Sequence, residues 1–277
     1  MVLAFLPWLV FAALLLLILI WRGIGWREAW LGAVLIWWAG LVAMTEGLGA
    51  VHILSREGVA AGWGGLLLVV LVMLWRKQSW SQLRQRLSGF SLLPWERWLA
   101  AGGAVYLLIS WVVAWMAPPN TNDSLTYHMP RVMHWLQDRS LTHYFTVIDR
   151  QIWNPPGAEY AILHFQSLAG NDRFANLVQW FALLGILAGV SLAAARLGAG
   201  RKGQWFAALF ALTLPMGILQ ATSTQNDLVT ALWVVCLLNS ALVAAQRSLT
   251  WIEWLEAGLA VGLGILTKGT FYAFAAP

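Results

Sequence analysis

Long apolar runs alternate with short polar connections along most of this chain, and one stretch breaks the pattern. The runs cover 2–20, 29–48, 60–75, 98–117, 174–195, 205–219, 228–245 and 255–266. A helix of about 20 apolar residues crosses the hydrocarbon core of a bilayer, so the pattern predicts an all-α polytopic membrane protein with about eight transmembrane helices. The first run has no basic segment before it and no small-residue cleavage site after it, and it reads as a retained span rather than a signal peptide. The break is 118–171, a polar and aromatic segment around which the other features gather.

Two shorter amphipathic patterns lie inside that segment. Met129, Val132, Met133 and Leu136 share one helical face, with Pro130 acceptable in the first turn. After Asn154-Pro155-Pro156-Gly157, the residues Ala158, Ala161, Ile162 and Phe165 form an apolar side opposite Glu159 and Gln166. Both elements are predicted to lie along the outer membrane surface.

Composition agrees with the pattern. The 277 residues are 60% hydrophobic and 10% charged, where a soluble domain carries about a quarter charged residues. The net charge of +5 does not indicate nucleic acid, because Lys and Arg cluster in short loops beside apolar runs rather than on one soluble face. Of the 20 tryptophans, Trp21, Trp26, Trp30, Trp75, Trp80, Trp95 and Trp98 fall near run ends, where interfacial anchors sit. The single cysteine, Cys236, lies within an apolar run and reads as a small core residue.

Charge also sets an orientation. Arg22, Arg27, Arg76, Lys77, Arg84, Arg86, Arg97, Arg196, Arg201, Lys202 and Arg247 fall on one side of the alternating spans, and the short loops of the other side hold only Arg56 and Lys268. The positive-inside rule makes the first side cytoplasmic, which puts 118–171, the turn before Asp227 and Lys268 together on the outer face. Asp123, Asp227 and Lys268 thus converge on one membrane face from three connections. Each has an ordinary alternative: the aspartates as helix caps and Lys268 as a snorkelling side chain. The spacings of Gly185 with Gly189, and of Gly258 with Gly262, are read as helix packing.

Asp123 opens the segment in Asn122-Asp123-Ser124-Leu125-Thr126-Tyr127-His128. An outward carboxylate beside cations and interfacial helices suits group transfer from a lipid-phosphate donor: the carboxylate takes a proton from an acceptor hydroxyl and cations stabilise the departing phosphate. Asp123 is the candidate general base. Asp227, Lys268, Arg131, Arg150, Tyr127, His128 and Glu159 are the candidate substrate-binding residues. His128, His134, His143 and His164 do not follow a compact metal-ligand signature, and no P-loop, G-x-S-x-G or cysteine pair is present.

The run from Asn122 to His128, taken with Lys268-Gly269-Thr270, resembles bacterial glycosyltransferases of the GT-C superfamily, of the family 39 protein-mannosyltransferase and aminoarabinose-transferase type. The resemblance covers roughly 98–277 and implies a polyprenyl-phosphate sugar donor, a lipid, glycan or protein acceptor, a bacterial inner-membrane location and a site facing the periplasm. It matches Asp123 to the essential acid of the first external loop and Asp227 to a second outer-face acid, and it leaves a divalent cation possible. Two departures stand out: about three spans precede the helix that is normally first, and the frequent Asp-Glu pair is Asn122-Asp123 here. The resulting division is an N-terminal transmembrane extension at 1–97 and a GT-C-like region at 98–277, with apolar 271–276 expected to begin a further span of a longer protein. A lipid-linked-sugar flippase or transporter and a non-catalytic scaffold are the alternatives. A transporter would line its spans with polar groups, whereas here charge crowds at span ends.

Overall fold

The computed structural model describes residues 1–77 and 92–276; Trp80, Arg84 and Arg86, counted above as an anchor and cytoplasmic charges, lie outside them. The described chain is helical throughout, with no strand among the described residues. In chain order the α-helices longer than four residues are α1 (Leu6–Arg22), α2 (Trp26–Ala50), α3 (Arg56–Lys77), α4 (Pro94–Met116), α5 (Met129–Asp138), α6 (Gly157–Ala169), α7 (Leu177–Arg196), α8 (Arg201–Leu212), α9 (Pro215–Ala221), α10 (Asp227–Ala244) and α11 (Trp251–Thr267).

Six of these are long and apolar enough to span a membrane: α1 with its preceding turn, α2, α3, α4, α7 and α10. The run at 205–219 is not one straight helix. Pro215 has no amide hydrogen and forces Leu214 into an extended conformation, so α8 and α9 meet at a bend of 63° and together supply a seventh, broken span. Helix α11, at 17 residues, is about 26 Å long, a little under the hydrocarbon thickness of about 30 Å. By length and composition six or seven spans stand where the apolar pattern counts about eight; α11 falls short of that measure, although it too runs from the Arg247–Glu253 end of the bundle to Lys268.

The core is aromatic. Trp37 stacks on Trp63 with centroids 5.2 Å apart, Trp38 meets Trp233 edge-on at 5.1 Å, and Phe11, Trp30 and Phe181 close the cluster where α1, α2 and α7 meet. Offset and edge-on ring pairs contribute about 0.5–1.5 kcal/mol each beyond their buried area. Helix α7 packs tightly on α10: a Cβ at Gly185 would come 2.6 Å from Leu232, and one at Gly189 would come 2.3 Å from Val235. These glycines let two backbones approach as predicted. Gly258 and Gly262 have nothing within 4 Å and make no such contact among the described residues. Helix α4 buries only Glu96, Ser110 and Ala114 and exposes Trp98, Leu108, Ile109 and Met116, a face suited to lipid.

The two amphipathic elements form, but they are buried differently from their patterns. In α5 the buried residues are Arg131, Val132 and Trp135, while Met133 is 43% exposed. The face has turned because Arg131 points inward to the Glu159 carboxylate and to the carbonyls of Arg150 and Gln151. Helix α6 is buried on nearly every side, with Gln166 its one residue short of full burial. Its His164 is locked between α2 and α3: Trp63 Nε1 donates to Nδ1 at 2.8 Å, and Nε2 lies 2.9 Å from Thr45 Oγ1. Since Nδ1 accepts, Nε2 carries the proton. Burial lowers the pKa of this imidazole to about 3.

Candidate functional site

The connections at one end of the bundle meet around Tyr127. Asp123 opens a π-helical turn, Ser124–His128, and its carboxylate does not cap that turn. Instead Arg150 Nη1 donates to Asp123 Oδ1 at 2.8 Å, with the two side chains 50% and 41% exposed. The Arg150 guanidinium also lies over the Tyr127 ring, 5.2 Å from its centroid. Single π-helical turns inside helices are frequent at functional sites because the extra residue redirects side chains.

Asp227 and Lys268 form a second ion pair, Nζ to Oδ1 at 2.6 Å, again partly exposed. Asp227 is the first residue of α10, and the amides behind it, of Leu228 and Val229, donate to Gln179 Oε1 of α7 at 2.8 and 3.1 Å. The capping role therefore falls to a glutamine from another helix, and the Asp227 carboxylate is left to Lys268. Lys268 follows the end of α11 in extended conformation.

Three sets of contacts hold these parts together. Ser124 Oγ donates to the Thr224 carbonyl at 2.8 Å, which ties the Asp123 turn to the segment before α10. Asn226 Nδ2 donates to the Thr267 carbonyl at 3.2 Å, which fixes the position of Lys268. The start of α6 lies so close to the end of α11 that a Cβ on Gly157 would sit 2.7 Å from Thr267 Oγ1 and 3.0 Å from the Leu266 carbonyl, so only glycine fits there. Tyr127 registers the result: burial, then Glu159, Asp123 and Asp227, push its phenol up to about 12, with Arg150 opposing. Asp123, Arg150, Asp227 and Glu159 thus all act on one buried hydroxyl that stays protonated.

A buried group lies behind. His128 Nδ1–H donates to Glu159 Oε1 at 2.9 Å, and Arg131 Nη1 reaches the same oxygen at 3.3 Å. Arg131 spends its other donors on the carbonyls of Gln151 and Arg150, both at 2.6 Å. It is 1% exposed, so it acts as a strut that sets the backbone from which Arg150 reaches Asp123. His128 Nε2 and Glu159 Oε2 are buried without a hydrogen-bond partner among the described residues. Removing one member of such a buried charged group costs about 3–5 kcal/mol.

Several contributors carry no local signal in the sequence. Gln179 caps α10 across helices, Gln151 Nε2 pins the Thr126 carbonyl at 2.6 Å, and Tyr160 Oη donates to Glu46 Oε1 at 2.5 Å from the far end of α2. For Gln179 and Glu46 the available clue is an isolated polar residue in an apolar run; Gln151 lies in a polar stretch and offers none. The histidines do not gather: His164 is held in the core, His134 stacks on Tyr144 at 3.7 Å, and no three of the His, Cys, Asp and Glu side chains approach as metal ligands would among the described residues.

Neither a curated protein nor a solved structure matches the chain. Residues 154–277, which carry Glu159, Asp227 and Lys268, match the family model for dolichyl-phosphate-mannose-protein mannosyltransferase, which agrees with the GT-C resemblance and supports a membrane glycosyltransferase in general.

Proposed function

We propose that this chain carries the donor and acceptor site of a membrane glycosyltransferase that moves a sugar from a polyprenyl-phosphate donor to a hydroxyl acceptor, at the outer (periplasmic) face of a bacterial inner membrane. The observation that carries the reading is the pairing of Asp123 with Arg150 and of Asp227 with Lys268 around Tyr127, at one end of a bundle whose C-terminal part matches a mannosyltransferase family.

In the proposed reaction the acceptor oxygen attacks the anomeric carbon, the bond from that carbon to the phosphate oxygen breaks, and the hydroxyl proton passes to Asp123. The departing polyprenyl phosphate takes the bonding electrons. Arg150 and Lys268, each already beside a carboxylate, reorient toward the phosphate as its charge develops. Tyr127 stays a neutral donor at working pH because its phenol is pushed up to about 12. His128 and Glu159, fully buried behind Tyr127, support the site from inside together with Arg131. No step is routed through the divalent cation that the resemblance leaves possible, since no three His, Cys, Asp or Glu side chains among the described residues approach as metal ligands would.

Asp123→Asn keeps the size of the side chain and removes the base. Transfer of labelled sugar from polyprenyl phosphate by the complete protein in lipid is expected to fall by a factor of about 100 or more, with donor binding retained. Full activity of Asp123→Asn ends the general-base proposal. A role limited to helix capping would cost only about 1 kcal/mol of stability and leave the folded fraction active.

A further inference from the structure

A second built site lies at the opposite end of the bundle. A cavity of about 740 Å³ opens there between α2, α4, α7 and α8. Its walls are graded. Arg27, Glu96, Ser191, Arg201 and Gln204 lie at the level where α2, α4 and α8 begin, and Leu107, Leu184 and Leu212 line the deep part. Between Glu96 and Leu107 the wall of α4 runs about 16 Å at 1.5 Å per residue, which is about one leaflet of the hydrocarbon core.

The charges at the mouth are not equivalent. Arg201 satisfies Glu96 through Nε at 2.8 Å and through Nη2, and Trp205 Nε1 donates to the same carboxylate at 3.1 Å, so Glu96 presents little negative charge. Arg27 is held only by neutral groups: its Nη1 donates to the Ser191 carbonyl at 3.0 Å, to Ser191 Oγ at 2.8 Å and to Gln204 Oε1 at 2.9 Å. No carboxylate lies within ion-pairing distance of it among the described residues, whereas Arg22, Arg196 and Arg247 at the same end each have one. A guanidinium fixed in place without a direct ion pair, its nearest opposing charge the Glu28 carboxylate that Arg196 already holds, at the polar end of an apolar slot one leaflet deep matches the shape and charge of one ligand class.

We infer that this cavity binds an anionic glycerophospholipid from the adjoining leaflet, its phosphate on Arg27 and an acyl chain against Leu107, Leu184 and Leu212. The depth argues for a lipid that ends at the midplane rather than a polyprenyl chain that would continue past it. The charge argues for a phosphate rather than a neutral lipid. The basic residues crowding this end would also draw anionic lipid toward it. The inference does not depend on the transferase reading, since the cavity shares no residue with the site around Asp123.

The test is native mass spectrometry of the protein in neutral detergent with added phosphatidylglycerol, diacylglycerol of the same chains, or undecaprenyl phosphate. One equivalent of phosphatidylglycerol should be retained in preference to both others. Arg27→Gln should weaken retention about tenfold by removing the charged donor. Gly103→Leu should do the same by filling the apolar part; its Cβ would meet only Leu212, at 3.6 Å, so the fold has room for it. If Arg27→Gln does not fold, Gly103→Leu decides alone. Equal retention of diacylglycerol, stronger retention of undecaprenyl phosphate, or unchanged binding by Gly103→Leu overturns the assignment.

Discussion

Lys268 and Asp227 sit 2.6 Å apart, so removing either exposes the charge of the other to whatever occupies the site. If Lys268 meets the donor phosphate, Lys268→Ala both removes an attraction and leaves the Asp227 carboxylate facing that phosphate. Donor KM is expected to rise by a factor of about 10 or more along with a loss of kcat/KM, because a contact made in ground and transition states alike contributes to both. The double variant Lys268→Ala/Asp227→Asn should recover part of the loss. A double variant no better than the single one would remove Lys268 from the phosphate. His164 gives a prediction independent of activity. Its folded pKa lies near 3, below the ordinary 6.5, so between those values the unfolded chain binds a proton that the folded chain refuses. Stability should therefore fall as pH drops from about 6.5 toward about 3, at most by about 1.4 kcal/mol per pH unit, and level off below. Thermal unfolding in detergent checks this, and His164→Gln should flatten the profile across that window.

At the scale of helices, the two small-residue spacings look alike in the sequence and differ in the structure. Gly189 on α7 faces Val235 of α10 at a distance that leaves no room for a Cβ, while Gly262 on α11 has no neighbour within 4 Å. Gly189→Ala should destabilise by about 1–3 kcal/mol through overpacking. Gly262→Ala should be neutral or stabilise by up to about 1 kcal/mol, since a helical glycine costs that much relative to alanine. The same melting experiment separates them, and equal shifts would refute the packing account. The capping of α10 belongs to this scale too: α10 begins where it does because Gln179 accepts from two of its first amides. Nothing local to Asn226 or Asp227 announces that partner 47 or more residues away, and the local expectation of an aspartate cap was the natural one.

Across the whole molecule the charges divide between two ends. Ion pairs Arg22–Glu256, Arg196–Glu28, Arg201–Glu96 and Arg247–Glu253 tie helix ends together on one side, and Asp123–Arg150 and Asp227–Lys268 lie on the other. The positive-inside rule assigns the first side to the cytoplasm. Cysteines introduced at Leu125, which is 58% exposed, and at Arg201 should therefore label from opposite sides of intact vesicles. Cys236, 3% exposed, should give little background. Labelling of both from the same side would contradict the topology, and labelling of position 201 alone from outside would reverse the orientation.

The sequence by itself determined the class of the protein and the meeting of its candidate groups. Apolar length fixes which segments prefer hydrocarbon, and alternation of spans then forces 118–171, Asp227 and Lys268 to one end whatever the packing details. Tertiary structure decided how those groups are paired and held. That Arg150 answers Asp123, that Arg131 is a buried strut, that α6 is enclosed on nearly every side and that α8 and α9 bend by 63° all depend on neighbours distant along the chain. The physical reason is range. Hydropathy is a property each segment carries alone, whereas the partner of a charge, or the room beside a glycine, exists only once other helices have arrived.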